Sequence, residues 1–298
     1  MTETSNSIDL VLTARQRHLG PHTVDRVLPQ AARRHVGPYI FVDHLGPREQ
    51  TPGHAFGVAA HPHIGLSTLT YLFAGEMVHH DSLGNTQTIH PGEVNWMTSG
   101  RGIAHSERVP PDYHGTMHSL QLWVGLTEQH EETEPSFQHV SGPDLPVVSF
   151  PGAVGRLLAG HAYGQQSPVH TYSPQFCVDM RLAHGARIPM PHDHAERAAY
   201  IVEGRMLVDG VAHDARHMLV FTAGGAPEIE ALADSTLLLL GGAPIPGPHM
   251  WWNFVSSSQA RIEQAKRDWA AGRFVLPPDD DKEFIPLPPE PARPEPMS

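Results

Sequence analysis

From Leu66 to Phe73 the chain alternates. "LSTLTYLF" sets Leu66, Thr68, Thr70 and Leu72 on one side and Ser67, Leu69, Tyr71 and Phe73 on the other. A period of two is that of a β-strand, here read as half-buried. "AGE" then turns the chain, "MVHHDS" reads as a second short strand, and "LGN" as a hairpin-type turn. "TQTI", "VNWMT" and "IAHSE" come next, separated by "HPGE" and "SGRG", and "HSLQLWVGL" adds a further strand. The 27 Gly and 29 Pro punctuate these segments. Many short strands with regular turns predict an antiparallel barrel or sandwich.

The second half repeats the pattern. "PHDHAERAAYIVEGRMLVDG" (191–210) echoes "HPHIGLSTLTYLFAGEMVHHDSLGN" (61–85), and "MLVFTAGG" (218–225) answers "VNWMTSGRG" (94–102). A weak repeat at about 125–130 residues means two copies of one β domain rather than a short-period solenoid. Between them, "EQHEETEPSFQHVSGPDLP" (128–146) is polar and lacks periodicity. The expected division is 1–140 for the first barrel and 141–298 for a second barrel with appendages. One of those is a helix. "SSSQARIEQAKRDWAAG" (256–272) starts on serine caps, ends in glycine, and spaces Ile262, Ala265 and Trp269 along one face. The Pro- and acid-rich tail "VLPPDDDKEFIPLPPEPARPEPMS" cannot form a core of its own and is expected to be extended and at most partly packed.

Charge narrows the function classes. The formal net charge is -12 and the pI about 6.0, which argues against direct binding to nucleic acid or to an anionic membrane. "MTETSNSIDL" has no apolar signal core and "TLLLLGG" is too short to span a bilayer, so a soluble, cytoplasmic protein is expected. Cys177 is the single cysteine. It permits no intrachain disulfide, argues against a thiolate metal site, and reads as a buried, inert thiol in "FCVDM".

Histidine is where chemistry enters. The chain holds 23 His in 298 residues, and chance alone gives about two His-x-His pairs. Two exist, His61/His63 and His192/His194. A pair therefore counts only through its surroundings. Residues i and i+2 of a strand share a face, so His61 and His63 can both point into one barrel. His105 and Glu107 in "GIAHSE" form a second such doublet. If the two strands are neighbours, three imidazoles and a carboxylate converge. That mixed N/O set suits Fe, Mn, Co, Ni, Cu or Zn and matches Ca or Mg poorly. It would leave coordination positions open, as catalysis needs.

These residues carry a resemblance. "HPHIGLSTLTYLFAGEMVHHDSLGN", "HPGEVNWMTSGRGIAHSE", "VDRVLPQAARRHVGPYIFVDHLGP" and "MWWNFVSSSQARIEQAKRDWAAGRF" resemble the pirin family of two-domain cupins, from about residue 10 to about residue 290. The resemblance implies a bicupin fold of two antiparallel, jelly-roll-like barrels with a C-terminal helix. It also implies a metal held by His61, His63, His105 and Glu107. Family members include flavonol (quercetin) 2,3-dioxygenases and a nuclear transcription cofactor with redox-active iron. The sequence departs from the family's "HPHRGFETVTY" at two places, where Ile64 stands for Arg and Ser67 for Glu.

The expected activity is that of a dioxygenase acting on a small aromatic substrate, a flavonol or similar hydroxylated compound, with O₂. One divalent transition metal is expected, Fe(II) first, with Glu107 as ligand and general base. The alternative is a non-enzymatic, redox-responsive regulatory protein that acts through protein partners. His192 and His194 are expected to lack a partner doublet, because "APEIEAL" supplies no His and Glu228/Glu230 fit only with a one-residue gap. His79 and His80 point to opposite strand faces, so at most one reaches the cavity, and a surface or hydrogen-bonded role is expected for both. Trp96 and Trp123 are read as core. Trp251 and Trp252 are expected to anchor the helix, and "ARRH" (32–35) to be a solvated cluster.

Overall fold

The computed structural model describes residues 7–19, 22–50, 56–225 and 227–289. The N-terminal hexapeptide and the last nine residues of the Pro-rich tail lie outside them. Strands dominate, and the fold is a bicupin. In the first half a seven-stranded antiparallel sheet runs in the spatial order Ser136–Val140, Val94–Thr98, Leu66–Ala74, Gly115–Gly125, Tyr39–Gln50, His22–Leu28, Arg15–Leu19. Facing it is a four-stranded sheet, Gly57–His63, Ile103–Arg108, Met77–Asp81, Thr86–Ile89. The second half repeats this with a large sheet centred on Glu196–Glu203, Ser235–Gly242 and Gln175–Leu182. Its small sheet is Arg187–Pro189, Glu228–Ala231, Arg205–Val208, Val211–Asp214. The sheets stay separate, so each unit is a two-sheet jelly roll rather than a closed cylinder.

One strand crosses over. Ile8–Thr13, which the chain order places with the first half, pairs with His217–Phe221 at the edge of the second half's large sheet. It covers an edge that would otherwise be open to pairing with another chain.

The two large sheets pack face to face, and their contact is the main core. Leu69, Tyr71, Leu120 and Leu122 of one meet Leu158, Cys177, Tyr200 and Leu240 of the other. This corrects the half-buried reading of Leu66–Phe73: every residue from Leu66 to Leu72 is buried. One face of that strand points into its own barrel and the other into the second domain, so alternation of side-chain type does not become alternation of exposure. Cys177 is buried in this core, and burial pushes its thiol up. The second barrel has its own filling of Met180, Ile201, Met206, Leu219, Ile229 and Leu237. The first barrel holds a cavity instead.

The helix Gln259–Ala270 starts at Ser258, whose side chain accepts from the Arg261 amide, and buries Ile262, Ala265 and Trp269. These residues pack on Ile64 and Phe254. Trp251 and Trp252 flank that cluster, with the Lys266 ammonium over the Trp251 ring. Beyond the helix the tail is tied down. Trp269 Nε1 donates to the Ile285 carbonyl at 2.9 Å, and the Ile285 amide donates to the Ala60 carbonyl at 2.8 Å. Arg108 holds Asp280 through two hydrogen bonds of 2.8 and 3.1 Å. In "ARRH", Arg33 pairs with Glu196 across the domain contact, so this cluster is only partly solvated. Gly65 sits at φ +67, where a Cβ would run into the Val255 carbonyl, so the turn after the first His pair requires glycine.

The domain contact contains one polar pair that can be tested. Tyr71 Oη donates to Asp179 Oδ2 at 2.7 Å, and both residues are buried. Tyr71→Phe removes the donor and strands the carboxyl, with an expected cost of about 1–3 kcal/mol in the urea unfolding free energy. An unchanged midpoint would show that water replaces the phenol.

Candidate metal centre

The site is built by strand pairing. Gly57–His63 runs antiparallel to Ile103–Arg108, with His105 opposite His61 and Ile103 opposite His63. The imidazole centroids of His61, His63 and His105 lie 4.4–5.0 Å apart, and the candidate ligand nitrogens all lie within 4.8 Å of one another. Hydrogen bonds orient two rings. His61 Nδ1 sits 2.9 Å from the Ala59 carbonyl, and His63 Nδ1 sits 3.2 Å from that of Asn253. Each contact assigns the proton to Nδ1 and turns Nε2 toward the centre. The Nε2 atoms of His63 and His105 are buried and meet no hydrogen-bond partner. Buried polar nitrogens normally find one, and a metal satisfies them. Burial also lowers all three imidazoles below their ordinary pKa, His61 to about 4. They are thus neutral at pH 7, the form that binds metal.

Glu107 stands outside this trio of nitrogens. The register slips between His105 and Glu107, so Glu107 faces Val58. Its Oε1 accepts from Thr70 Oγ1 at 3.0 Å. Burial raises its pKa, opposed by the nearby His79 and by hydrogen bonds from Thr70 and Gln121. The carboxyl and His61 line one cavity of about 520 Å³. One wall is aromatic: Phe41 and Trp123 stack at 4.1 Å with planes 13° apart. Arg26 lies over Phe41 at 4.4 Å and grips Asp43 with two bonds of 2.8 Å. Trp123 packs in a core cluster with Phe41, Leu66 and Val255, as read, and also lines the cavity, whereas Trp96 packs in the core between the sheets.

Of the two central histidines in "MVHHDS", His79 is buried against His105 and hydrogen-bonded to Asp81, while His80 is only partly buried. Sequence reasoning left Thr70, Asp81 and Asn253 unassigned. Thr70 and Asp81 share strand parity with inward-facing neighbours, which is a usable signal. Asn253 contributes a backbone carbonyl from 190 residues away and leaves none. The departures from the family pattern are accommodated. Ile64 points away from the cavity into the helix contact, and Ser67 Oγ pairs with Thr98 Oγ1 at 3.0 Å.

The second barrel lacks the arrangement. His192 is exposed, and His194 Nε2 lies 2.9 Å from the His161 carbonyl. Glu228 and Glu230 pair with Arg187 outside the barrel, while Ile229 between them points in. Among the described residues, His61, His63 and His105 are the one group of three potential ligands brought together in this way.

Fold and site together define a two-domain cupin with a three-imidazole centre in its first barrel. Comparison with known proteins agrees. The Pirin family model matches residues 21–124, and the Pirin C-terminal cupin domain model matches residues 177–275. A pirin-like protein of Caulobacter vibrioides is 50% identical over 286 residues, covering 94% of this chain and 99% of that protein. The chain belongs to the pirin family. Among solved structures, a quercetin 2,3-dioxygenase of Acinetobacter baumannii superposes with a TM-score of 0.88 at 33% identity, over 95% of this chain and 96% of that one. The bacterial pirin YhhW of Escherichia coli, solved in complex with nickel(II), shares the fold at a TM-score of 0.64 and 18% identity, over 79% of this chain and 99% of that one.

The geometry makes two outcomes testable. His63→Ala or His105→Ala should remove most of the metal found by elemental analysis of purified protein, and replacing both His192 and His194 should leave it unchanged. Equal metal content in all variants would dissolve the assignment. The lowered imidazole pKa values also fix a pH dependence for the metal-free protein. The unfolded chain binds protons below about pH 6.5 that folded His61 refuses until about pH 4, so stability should fall as pH drops through that window. Urea midpoints measured at pH 7 and pH 4.5 test the sign.

Proposed function

We propose that this protein is a metal-dependent dioxygenase acting on flavonols such as quercetin, or on similarly hydroxylated aromatics, in the cytoplasm. Residues 1–140 carry the chemistry, and residues 141–298 complete the cavity wall. The observation that carries the reading is Glu107, a buried carboxyl with a raised pKa that shares a cavity with His61. His61, His63 and His105 would hold one divalent transition metal, Fe(II) first, with Glu107 as the fourth ligand or as the base beside it. Such a metal supplies Lewis acidity toward an enol or phenol oxygen and the redox chemistry of O₂.

The chain's own groups do the rest. Glu107 takes the proton of the substrate hydroxyl, and its raised pKa makes it a stronger base than a solvated carboxylate. Thr70 fixes the carboxyl's orientation. The Phe41–Trp123 stack offers a flat apolar face to an aromatic ring. The apolar wall keeps water from the reacting centre. The likeness to the Acinetobacter baumannii enzyme supports this choice of substrate class.

The test is O₂ consumption with quercetin by metal-loaded protein. Glu107→Gln should retain metal and lose about 10²–10⁴-fold in turnover, the usual contribution of general acid–base catalysis. Wild-type activity should fall as pH drops through the raised pKa of Glu107, because the protonated carboxyl cannot accept. Normal turnover by metal-replete Glu107→Gln would remove Glu107 as the base. If the wild type consumes no O₂ with any flavonol, the non-enzymatic, metal-dependent regulatory reading replaces this one.

A further inference from the structure

Behind His105 lies a chain of buried polar groups that the proposed reaction does not use. The strand Met77–Asp81 pairs with the other edge of Ile103–Arg108, setting Asp81 opposite His105 and His79 opposite Glu107. His79 Nδ1 lies 3.4 Å from His105 Nδ1, and His79 Nε2 lies 3.1 Å from Asp81 Oδ2. His79 and Asp81 are both buried. Phe137 stacks on the His79 ring, with centroids 4.4 Å apart and planes 15° apart, which fixes its plane and covers one face.

We infer that His79 and Asp81 form a hydrogen-bonded relay that orients His105 and strengthens it as a metal donor. The inference rests on the reading that the three imidazoles bind a metal. Proton counting carries it. With His105 Nε2 turned to the centre, the neutral ring keeps its proton on Nδ1. That proton can be donated to His79 only if His79 Nδ1 is bare. The proton of His79 then sits on Nε2 and is donated to Asp81. One tautomer per ring satisfies every contact.

Asp81 is built to be the acceptor at the end of this chain. The Leu83 and Asn85 amides donate to its Oδ1 at 2.9 and 3.1 Å, and Asn85 Nδ2 reaches both of its oxygens. All these partners are donors, as a carboxylate requires. The three metal-facing rings are therefore not equivalent. His61 and His63 contact neutral backbone carbonyls, whereas His105 alone is linked to an anion, through a second imidazole. Such a link raises the basicity of a ligating imidazole and favours the higher oxidation state of an iron bound to it. His79 is thus a positioning residue that acts through His105.

The test uses the full-length protein and two substitutions. His79→Phe keeps a flat ring against Phe137 but removes both hydrogen bonds. His79→Gln keeps an acceptor and a donor. Metal-free wild type and variants are titrated with Zn(II), and the Fe(III)/Fe(II) midpoint potential is measured after iron loading. His79→Phe should bind Zn(II) about 10–100-fold more weakly and show a raised potential. His79→Gln should recover most of the affinity. Wild-type affinity and potential in His79→Phe would overturn the relay, and so would equal losses in both variants, which would indicate packing alone. Should His79→Phe fail to fold, Asp81→Asn takes its place, keeping the shape and removing the anion: a raised potential supports the relay and an unchanged value refutes it. A flat Zn(II) isotherm for the wild type would instead refute the metal reading itself, and the relay with it.

Discussion

The first barrel's centre depends on one antiparallel pairing with one irregularity. Gly57–His63 and Ile103–Arg108 run in register from His63 to His61, then slip, so that Glu107 meets Val58 and two residues, Ala59 and Ala60, oppose Ser106. Such a bulge adds a residue to one strand and re-aims the side chains beyond it. The regular part brings three imidazoles together. Past the slip, the carboxyl of Glu107 stands along the cavity wall on Thr70. The bulge carbonyls are put to use: that of Ala59 meets His61 Nδ1, and that of Ala60 accepts the Ile285 amide and fastens the tail. Ring orientation and tail attachment share this local backbone choice.

The second barrel shows what the same architecture does without that choice. Its corresponding strands, Arg187–Pro189 and Glu228–Ala231, place Ile229 inward and Glu228 and Glu230 outward, onto Arg187. A strand has a period of two, so a one-residue offset sends every carboxylate to the wrong face. The interior then fills with Met, Leu and Ile. This half contributes its large sheet to the main core, and Asn253, Trp252 and Ile285 to the site in the other half. The three-imidazole cluster lies in one copy, and the other packs against it and contributes to its cavity wall.

Charge burial explains the direction of the site's pKa shifts. Histidines and a carboxyl taken from water lose the solvation of their charged forms, and each shifts toward its neutral form. The imidazoles go down and Glu107 goes up. Neutral imidazoles are ready ligands, and a carboxyl of raised pKa is a ready base. The same burial that stabilises the fold thus prepares the site, provided a cation or a donor satisfies what burial leaves unpaired.

The sequence by itself determined the strand pattern, the duplication, the capped helix with Ile262, Ala265 and Trp269 inward, and the two candidate doublets His61/His63 and His105/Glu107. All of these arise from local periodicity, which a strand or helix converts directly into a shared face. It also revealed that the second copy lacks a matching doublet, since residue type and spacing suffice for that. Only the tertiary structure decided which doublets meet and how closely. The bulge at Ala59 and Ala60 has no signature in "GVAAHPH". Burial of both faces of Leu66–Leu72 results from the second domain lying against the first. Trp123 lines the cavity as well as a core cluster, and Trp96 packs between the sheets, according to which sheet face each occupies. The partner of His63 comes from Asn253, and the strand Ile8–Thr13 joins the far domain's sheet. Contacts between residues so distant in the chain are set by packing of whole sheets, and no local pattern encodes them.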